Sequence, residues 1–184
     1  MFAITERLLL RPPWPEDAAA IFEAANDERL VRNLARLPWP YRPNDADFYC
    51  KMAAADPLPH LLIFDRTIER PRLIGTCGLD ETEGRIALGY WIRHDAWNKG
   101  YATEAGRALV AMGRALGYRR LTATHFVDNP ASGAVLRKIG FRDTGRIEAR
   151  WSEGRQSRAP ARHFEWLASD VEADMELEKR PEAA

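Results

Sequence analysis

Cysteine is scarce in this 184-residue chain, which contains only Cys50 and Cys77. Neither belongs to a CxxC pair, and neither lies at a spacing from histidine that is typical of a metal site. Disulfide frameworks and structural zinc sites both depend on closely spaced cysteines. We therefore expect no disulfide and no bound metal.

Long apolar runs are also absent from the sequence. No window approaches the roughly 18 consecutive apolar residues of a membrane-spanning helix. Near the start of the chain, Glu6, Arg7 and Arg11 interrupt the apolar residues, whereas a signal peptide needs an uncharged apolar stretch. These observations predict a soluble, cytoplasmic protein that has no membrane partner.

The chain has no excess of charge of either sign, because 27 basic residues balance 27 acidic ones. Nucleic-acid binding depends largely on the neutralisation of phosphates by basic side chains, so we expect no nucleic-acid partner. An RNA-associated module would also need an aromatic RNA-binding signature, which the sequence lacks. The charge is nevertheless uneven: residues 107–162 contain twelve basic and four acidic residues, so this region could bind a small anion.

The length is that of one ordinary domain. We assign residues 1–170 to this domain and residues 171–184 to an acidic, frayed C-terminal tail. The order of predicted elements indicates an α/β fold with a single mixed central sheet of six to seven strands flanked by about four helices. Strands are predicted at residues 7–11, 60–64, 72–79, 85–92, 119–127, 141–151 and 162–168, helices at 15–27, 44–55, 102–116 and 130–139, and a mobile loop at 152–160.

The first notable feature is the joint "WNKGYAT", residues 97–103, where a strand is followed by a helix. The start of a helix exposes unpaired N–H groups that bind phosphate. Gly100 and the small Ala102 leave those groups accessible, and Lys99 adds a positive charge. A simple tight turn would also use a glycine. No GK[ST] or GxGxxG pattern is present, which excludes the two commonest nucleotide-binding loops.

A second strand-to-helix joint lies in "FVDNPASGAVLRKIGF", residues 126–141. Asn129 and Ser132 lie three residues apart at the predicted start of the helix. Both residue types favour helix N-termini, and Pro130 fits there as well, so helix capping explains the pattern equally well. The presence of two such joints in one small domain favours a functional interpretation.

The stretch from residue 89 to 141, "GYWIRHDAWNKGYATEAGRALVAMGRALGYRRLTATHFVDNPASGAVLRKIGF", resembles the core of the Gcn5-related N-acetyltransferases (GNAT), in particular the RimJ/RimL-type ribosomal-protein N-terminal acetyltransferases. The resemblance extends from "RLLLRP" to "HFEWL". It implies the GNAT (acyl-CoA N-acyltransferase) fold and the transfer of an acetyl group from acetyl-coenzyme A (acetyl-CoA) to an amine.

The resemblance also assigns residues to the cofactor. The turn that wraps the pyrophosphate corresponds to Trp97, Asn98, Lys99, Gly100, Tyr101, Ala102 and Thr103. Trp97 replaces the usual Gln or Arg, and Asn98 replaces a frequent second glycine. The two strands at residues 87–92 and 121–127 are implied to separate and admit the pantetheine arm. The arm would contact the backbone from Tyr90 through Trp91 to Ile92 and would be held by Asn129. Arg137, Lys138 and Arg142 follow the second joint, where the 3′-phosphate of coenzyme A would pass, although a solvated surface also explains most of these charges.

For catalysis, the resemblance implies that Ser132 donates to the departing thiolate. The general base is less evident, because Ala87 stands where this branch often has Glu. His125, Glu81 and Glu83 are candidates, although each residue is also commonly structural or solvated. Neutralising an α-amine at pH 7 costs about 1 kcal/mol, against about 4.6 kcal/mol for a lysine amine. The missing carboxylate therefore favours an α-amine or another easily deprotonated acceptor.

The acceptor site is expected at the segments "RNLARLPWPYRPND" and "SEGRQSRAP", with Trp39, Tyr41 and Trp151 as candidate lining residues. We predict an N-acetyltransferase that uses acetyl-CoA and a primary amine, either a protein N-terminus or a small molecule. A non-catalytic acyl-CoA sensor is the alternative. The sequence leaves the choice between monomer and homodimer open.

Overall fold

The computed structural model describes residues 1–82 and 84–169, and the predicted tail at 171–184 lies outside them. Within the described residues, eight strands form one mixed sheet and five α-helices pack on it. The strands are β1 (Ala3–Ile4), β2 (Leu8–Arg11), β3 (His60–Asp65), β4 (Arg72–Thr82), β5 (Arg85–Ile92), β6 (Arg120–Phe126), β7 (Arg142–Ser152) and β8 (Ser157–Leu167). The helices are α1 (Ala18–Ala25), α2 (Glu28–Val31), α3 (Pro43–Ala55), α4 (Tyr101–Ala115) and α5 (Pro130–Lys138).

The sheet has the strand order β1-β2-β3-β4-β5-β6-β8-β7. Every neighbouring pair is antiparallel except β5 and β6, which run parallel. These two central strands are in register at one pair only, Ala87 with Thr122. Beyond this pair they separate, as the family resemblance implied, and the sheet divides into two halves.

The two faces of the sheet carry different helices. On one face, Leu79 and Leu88 belong to a core that includes Leu109 of α4 and Leu136 of α5. On the other face, Trp91 packs with residues of α1 and α3. Because side chains alternate along a strand, Ala87 and Gly89 lie on the same face as Trp91, whereas Leu88 and Tyr90 face α4 and α5.

The prediction of an α/β fold with one mixed sheet is confirmed, but the predicted numbers of strands and helices were too low. Strand β1 has two residues and helix α2 has four, which is too short to show a clear hydrophobic period. The loop predicted at residues 152–160 is also wrong, because β8 begins at Ser157 and only residues 153–156 form the turn. The strand predicted at 141–151 corresponds to β7, whereas polar and exposed side chains at the start of β8 hide that part of the strand in the sequence.

A backbone contact in the centre of the sheet depends on a glycine. An ideal Cβ at Gly75 would lie 2.1 Å from the carbonyl oxygen of Trp91 on the neighbouring strand. A side chain at this position would therefore force β4 away from β5. The close approach keeps β5 fixed to β4 on one side while its other edge separates from β6.

Candidate active site

The separation of β5 from β6 opens a cleft of about 1370 Å³ in the middle of the sheet. Its walls come from both halves of the sheet and from the N-terminal ends of α4 and α5. Beyond Ala87, the backbone groups of β5 that face β6 have no strand partner among the described residues. An extended ligand can therefore pair with this free edge, because such groups need hydrogen-bond partners when water is excluded.

The N-terminus of α4 opens into this cleft. Its N-cap, Gly100, has a φ of 79°, and Asn98 also adopts a left-handed conformation with a φ of 59°. The first backbone hydrogen bond of the helix runs from Glu104 N to Gly100 O, at 3.1 Å. The N–H groups of Tyr101, Ala102 and Thr103 thus have no acceptor within the helix, and all three residues line the cleft. Such a group of donors at a positive helix end binds phosphate.

Side chains around this turn have separate roles. Tyr101 is buried, and its hydroxyl donates to Asp65 Oδ2 at 2.7 Å, so only its amide is available to a ligand. Trp97 donates from Nε1 to the carbonyl oxygen of Ile92 at 2.6 Å, which fixes the turn to the end of β5. Lys99 is exposed beside the turn. The turn is therefore held by its side chains and offers its backbone to the cleft.

Arg7, the residue before β2, supports the turn, a contact that the sequence did not reveal. Its Nη1 donates to Lys99 O at 2.9 Å, and its backbone N and Nε both donate to Glu104 at 2.8 Å. Thr5 adds a hydrogen bond of 2.6 Å to the same carboxylate. Partial burial alone would raise the pKa of Glu104, but the hydrogen bonds from Thr5 and Arg7 hold this pKa below its ordinary value. Glu104 therefore remains charged at neutral pH and stabilises the start of α4.

At the second joint, Asn129 is the N-cap of α5, and its side chain accepts from Ser132 N at 3.4 Å. Ser132 reaches the cleft from the first turn of α5. Its Oγ lies 2.8 Å from the hydroxyl of Tyr90, which also donates to Ser132 O at 3.2 Å. Helix capping thus accounts for the side chain of Asn129, whereas the hydroxyl of Ser132 belongs to a pair with Tyr90.

Tyr90 is a cleft residue that was considered only for its backbone in the sequence. Burial raises the pKa of Tyr90 to about 12, an effect that the hydrogen bond with Ser132 partly offsets. At neutral pH this phenol is therefore an uncharged hydrogen-bond donor. An ordinary thiol has a pKa of about 8.5, so the Tyr90–Ser132 pair can stabilise a thiolate by hydrogen bonding, while complete transfer of the Tyr90 proton to it is unfavourable.

His125 lies on β6 and faces α5. Its Nδ1 is 2.8 Å from the carbonyl oxygen of Phe126, and its Nε2 is buried without a hydrogen-bond partner among the described residues. An ideal Cβ at Gly133 of α5 would lie 2.6 Å from this Nε2, so the ring packs tightly beneath the helix. Thr122 is in register with Ala87, so Thr122 and Thr124 lie on the same face of the sheet as Ala87. His125, the residue after Thr124, therefore lies on the opposite face.

A carboxylate lies on the Ala87 face of the cleft. Asp80 of β4 is the direct antiparallel partner of Ala87, so the two side chains share this face. Asp80 Oδ2 would be 3.9 Å from an ideal Cβ at Gly89, and it is the only atom of the described residues within 4 Å of that position. The side chain of Asp80 is 15% exposed and forms two hydrogen bonds with the guanidinium of Arg36.

The neighbouring Glu81 lies differently. Its registered partner is Ile86, so alternation places its side chain on the face opposite to Asp80. Glu81 is exposed and does not line the cleft. Glu83, the other carboxylate considered from the sequence, lies outside the described residues.

The two segments proposed to shape the acceptor site contact each other. The backbone N of Glu153 donates to Ala35 O at 2.9 Å, and Ser152 Oγ donates to Leu34 O at 2.8 Å. An ideal Cβ at Gly154 would lie only 2.3 Å from Val31 Cγ1. The turn between β7 and β8 therefore packs closely on the segment after α2. Residues 33–38 of that segment line the cleft, whereas no residue of 152–160 does.

The three aromatic residues proposed for the acceptor occupy different environments. Tyr41 is buried, lines the cleft and stacks with Phe22 at a centroid distance of 6.4 Å. Trp39 is half-buried, and neither it nor Trp151 is among the residues that line the cleft. Trp151 is exposed on β7 and donates from Nε1 to Glu153 at 3.0 Å.

The basic residues proposed for a 3′-phosphate lie at the C-terminal end of α5 and the start of β7. Arg137 and Lys138 are exposed, and Lys138 lines the cleft. Arg137 lies over the ring of Phe164 and 3.8 Å from Asp143. Within residues 1–82 and 84–169, no cluster of three metal-ligating side chains and no helix suited to crossing a membrane is found.

Comparison with known proteins identifies the family to which this fold and cleft belong. Residues 7–142 match the family model described as the acetyltransferase (GNAT) domain. The match covers most of the chain, from the residue before β2 to the beginning of β7. The chain therefore belongs to the GNAT acetyltransferase family.

Individual relatives agree with this assignment. The chain is 32% identical over 154 residues to the uncharacterised N-acetyltransferase YoaA of Bacillus subtilis (strain 168), covering 79% of this chain and 86% of that protein. A GNAT-family acetyltransferase from Bacillus anthracis has a similar crystal structure, with a TM-score of 0.79 and 23% identity over 92% of this chain and 99% of that one.

A third similar structure is RimL, a ribosomal L7/L12 alpha-N-protein acetyltransferase in complex with coenzyme A. Its TM-score is 0.70 at 18% identity, over 91% of this chain and 98% of that one. At this identity the similarity shows a shared fold. It does not show a shared acceptor.

Proposed function

We propose that this protein transfers the acetyl group of acetyl-CoA to a primary amine. The observation that carries the proposal is the position of the free N–H groups of Tyr101, Ala102 and Thr103 at the mouth of the cleft between β5 and β6. A diphosphate at these donors would be continuous with a narrow arm lying along the free edge of β5. One phosphate-binding helix end and one unpaired strand edge thus match the diphosphate and the pantetheine arm of the cofactor.

The residues present fit this cofactor. Gly100 has no side chain to cover the donors, and an ideal Cβ there would meet only Arg7 Nη2, at 3.4 Å. Lys99 and the α4 dipole favour a negative charge at the same place. Gly89 leaves the surface of β5 open, since Asp80 is its only close neighbour on that side. The remaining proposed contacts with the cofactor are made by Trp91, Ile92, Trp97, Asn98 and Asn129.

The chemistry requires stabilisation of charge in two places. Acetyl-CoA, when bound, supplies an acyl thioester that an uncharged amine can attack. A backbone N–H on the free edge of β5 is suited to stabilise the developing negative charge on the carbonyl oxygen. Ser132 and Tyr90 lie on the α5 side of the cleft, where their hydroxyls are placed to donate to the leaving sulfur.

For the acceptor, we propose a protein N-terminal α-amine or a small primary amine. The printed function of the structural neighbour RimL, an alpha-N-protein acetyltransferase, supports the first class. An α-amine, with a pKa of about 7.7–8.0, is also deprotonated far more easily at neutral pH than a lysine amine. A RimJ/RimL-type role and a cytoplasmic location are parts of the same proposal.

The test is to incubate the purified protein with acetyl-CoA and a panel of free-amino tripeptide amides and small alkylamines. Free thiol is measured with a chromogenic disulfide reagent, and the acetylated product is identified by mass spectrometry. We expect thiol release and an acetylated amine in equal amounts. Binding of acetyl-CoA without either product for any acceptor would contradict the proposal and support a sensor role.

A further inference from the structure

We propose that Asp80 receives the acceptor amine and takes up its proton, a role that Ala87 cannot perform. This inference rests on the proposed acetyl transfer to a primary amine. Asp80 and Ala87 are opposite each other in the β4–β5 pair, so their side chains leave the sheet on the same face. A carboxylate absent from β5 is thereby supplied by the adjoining strand.

The position of Asp80 relative to the free strand edge supports this role. The Oδ2 atom lies over Gly89, 3.9 Å from where a Cβ would be. Gly89 immediately precedes Tyr90, Trp91 and Ile92, the segment at which the thioester is proposed to bind. The absence of a side chain at Gly89 leaves room for an amine nitrogen between the carboxylate and that segment.

Arg36 shows that the Asp80 carboxylate binds a cation. Its guanidinium forms two hydrogen bonds with Asp80, although the Arg36 side chain is 63% exposed and comes from the segment between α2 and α3. A solvent-exposed partner of this kind is held weakly. An acceptor ammonium arriving through the cleft can therefore replace Arg36 at the carboxylate.

The other charged and titratable groups near Asp80 are consistent with this exchange. Arg85 of β5 lies two residues before Ala87 on the same face and also lines the cleft, but the cation that is hydrogen-bonded to Asp80 is Arg36. Tyr49 of α3 faces Asp80, and burial, the largest effect, raises the pKa of this phenol well above its ordinary value, so it remains uncharged. Glu81 points to the opposite face. Among these neighbours, Arg36 is the cation that the acceptor must displace.

The proton balance of the step is as follows. The bound ammonium gives one proton to the Asp80 carboxylate, and the uncharged nitrogen then forms the C–N bond as the thioester C–S bond breaks. The sulfur keeps the electron pair of the broken bond and accepts a hydrogen bond from the Tyr90–Ser132 pair. The second proton lost by the nitrogen passes through water to the thiolate, which gives free coenzyme A and the amide. The proton held by Asp80 is then released to water, which regenerates the carboxylate.

The test compares Asp80→Asn with Glu81→Gln, because both changes remove one negative charge from adjacent residues of β4. The acceptor is the tripeptide amide from the panel that releases thiol fastest. We expect Asp80→Asn to lower kcat by about 100-fold or more, in the range of lost acid–base catalysis. Glu81→Gln should remain within about twofold of the parent, as surface substitutions usually do.

A binding measurement provides a second readout that does not depend on turnover. Each protein is saturated with coenzyme A, which cannot react, and titrated calorimetrically with the same peptide amide. Asp80→Asn should lose most of its affinity for the peptide and bind acetyl-CoA as the parent does. Arg36→Gln should bind the peptide at least as tightly as the parent, since it removes the competing cation.

The outcomes separate this inference from the proposed function. A parent protein that releases no thiol with any acceptor contradicts the proposed function and the role of Asp80 together. An active parent with an equally active Asp80→Asn variant leaves acetyl transfer intact and overturns the role of Asp80. Unchanged peptide affinity in Asp80→Asn would also overturn it.

Discussion

Gly100 offers a direct way to test whether the start of α4 binds the diphosphate of coenzyme A. We consider Gly100→Glu, which places a carboxylate beside the free N–H groups of Tyr101, Ala102 and Thr103. At about 6 Å from a ligand with about two negative charges, and with an effective dielectric constant between about 80 and 20, the repulsion is about 1.4 to 5.5 kcal/mol. This corresponds to a loss of affinity of about tenfold to 10,000-fold.

The matched control is Gly117→Glu, at the opposite end of the same helix. Like Gly100, it has a positive φ, 89° against 79°, and is exposed. A side chain in this conformation costs about 1–2 kcal/mol of stability at either position. The two sites are 17 residues and thus about 25 Å apart along the helix, at 1.5 Å per residue, which is more than twice the Debye length of about 10 Å at 0.1 M salt. Only Gly100→Glu should therefore weaken binding.

The assay is calorimetric titration of both variants with acetyl-CoA, accompanied by thermal unfolding. We expect similar decreases in stability, a large loss of affinity for Gly100→Glu alone, and a smaller difference between the variants at high salt, because salt screens exposed charges. If both variants bound acetyl-CoA equally well, the assignment of the diphosphate to this helix end would be refuted.

Five further substitutions test other parts of the site and fold. Tyr90→Phe and Ser132→Ala should each lower kcat with little effect on acetyl-CoA affinity, and their effects in the double variant should fall short of additive because the hydroxyls form one pair. Gly75→Ala should cost about 3 kcal/mol or more in denaturant unfolding, whereas Gly89→Ala, with only a 3.9 Å contact, should fold like the parent. Folding lowers the pKa of Glu104, so its carboxylate stabilises the folded state above the unfolded pKa of about 4.3. This stabilisation is lost as the pH falls through the lower folded pKa. Glu104→Gln should therefore flatten the acid limb of a plot of stability against pH.

The two strand-to-helix joints could be located from the sequence because their determinants are local. Glycine, proline and short polar residues mark where helices begin, and the apolar period identifies each helix after its joint. Helix α4 begins at Tyr101 and α5 at Pro130, within one residue of the predicted starts. The parallel pairing of β5 and β6 and their separation came from the family resemblance, since no local pattern specifies them.

Asp80 was missed because its position depends on strand register. The predicted strands at 72–79 and 85–92 left residues 80–84 outside the sheet, whereas β4 ends at Thr82 and β5 begins at Arg85. A two-residue turn fixes the pairing of its flanking strands. Counting residues back from this turn along both strands places Asp80 opposite Ala87. The sequence would therefore have predicted this pair if the length of the turn had been known.

The contacts of Arg7 and Tyr90 could not be predicted in the same way. Arg7 and Glu104 are 97 positions apart, and Tyr90 and Ser132 are 42 positions apart. These pairs meet only because the chain order places β2 near α4 and α5 over β5. Long-range pairs of this kind need the tertiary arrangement, which hydrophobic periodicity does not provide.

Amide hydrogen exchange measured with and without acetyl-CoA tests the central claim most directly. Bound diphosphate should slow exchange at Tyr101, Ala102 and Thr103, whose N–H groups lack an acceptor within the helix, and should leave the opposite end of α4 near Gly117 unchanged. Saturating acetyl-CoA that produced no protection at these three amides would contradict the claim.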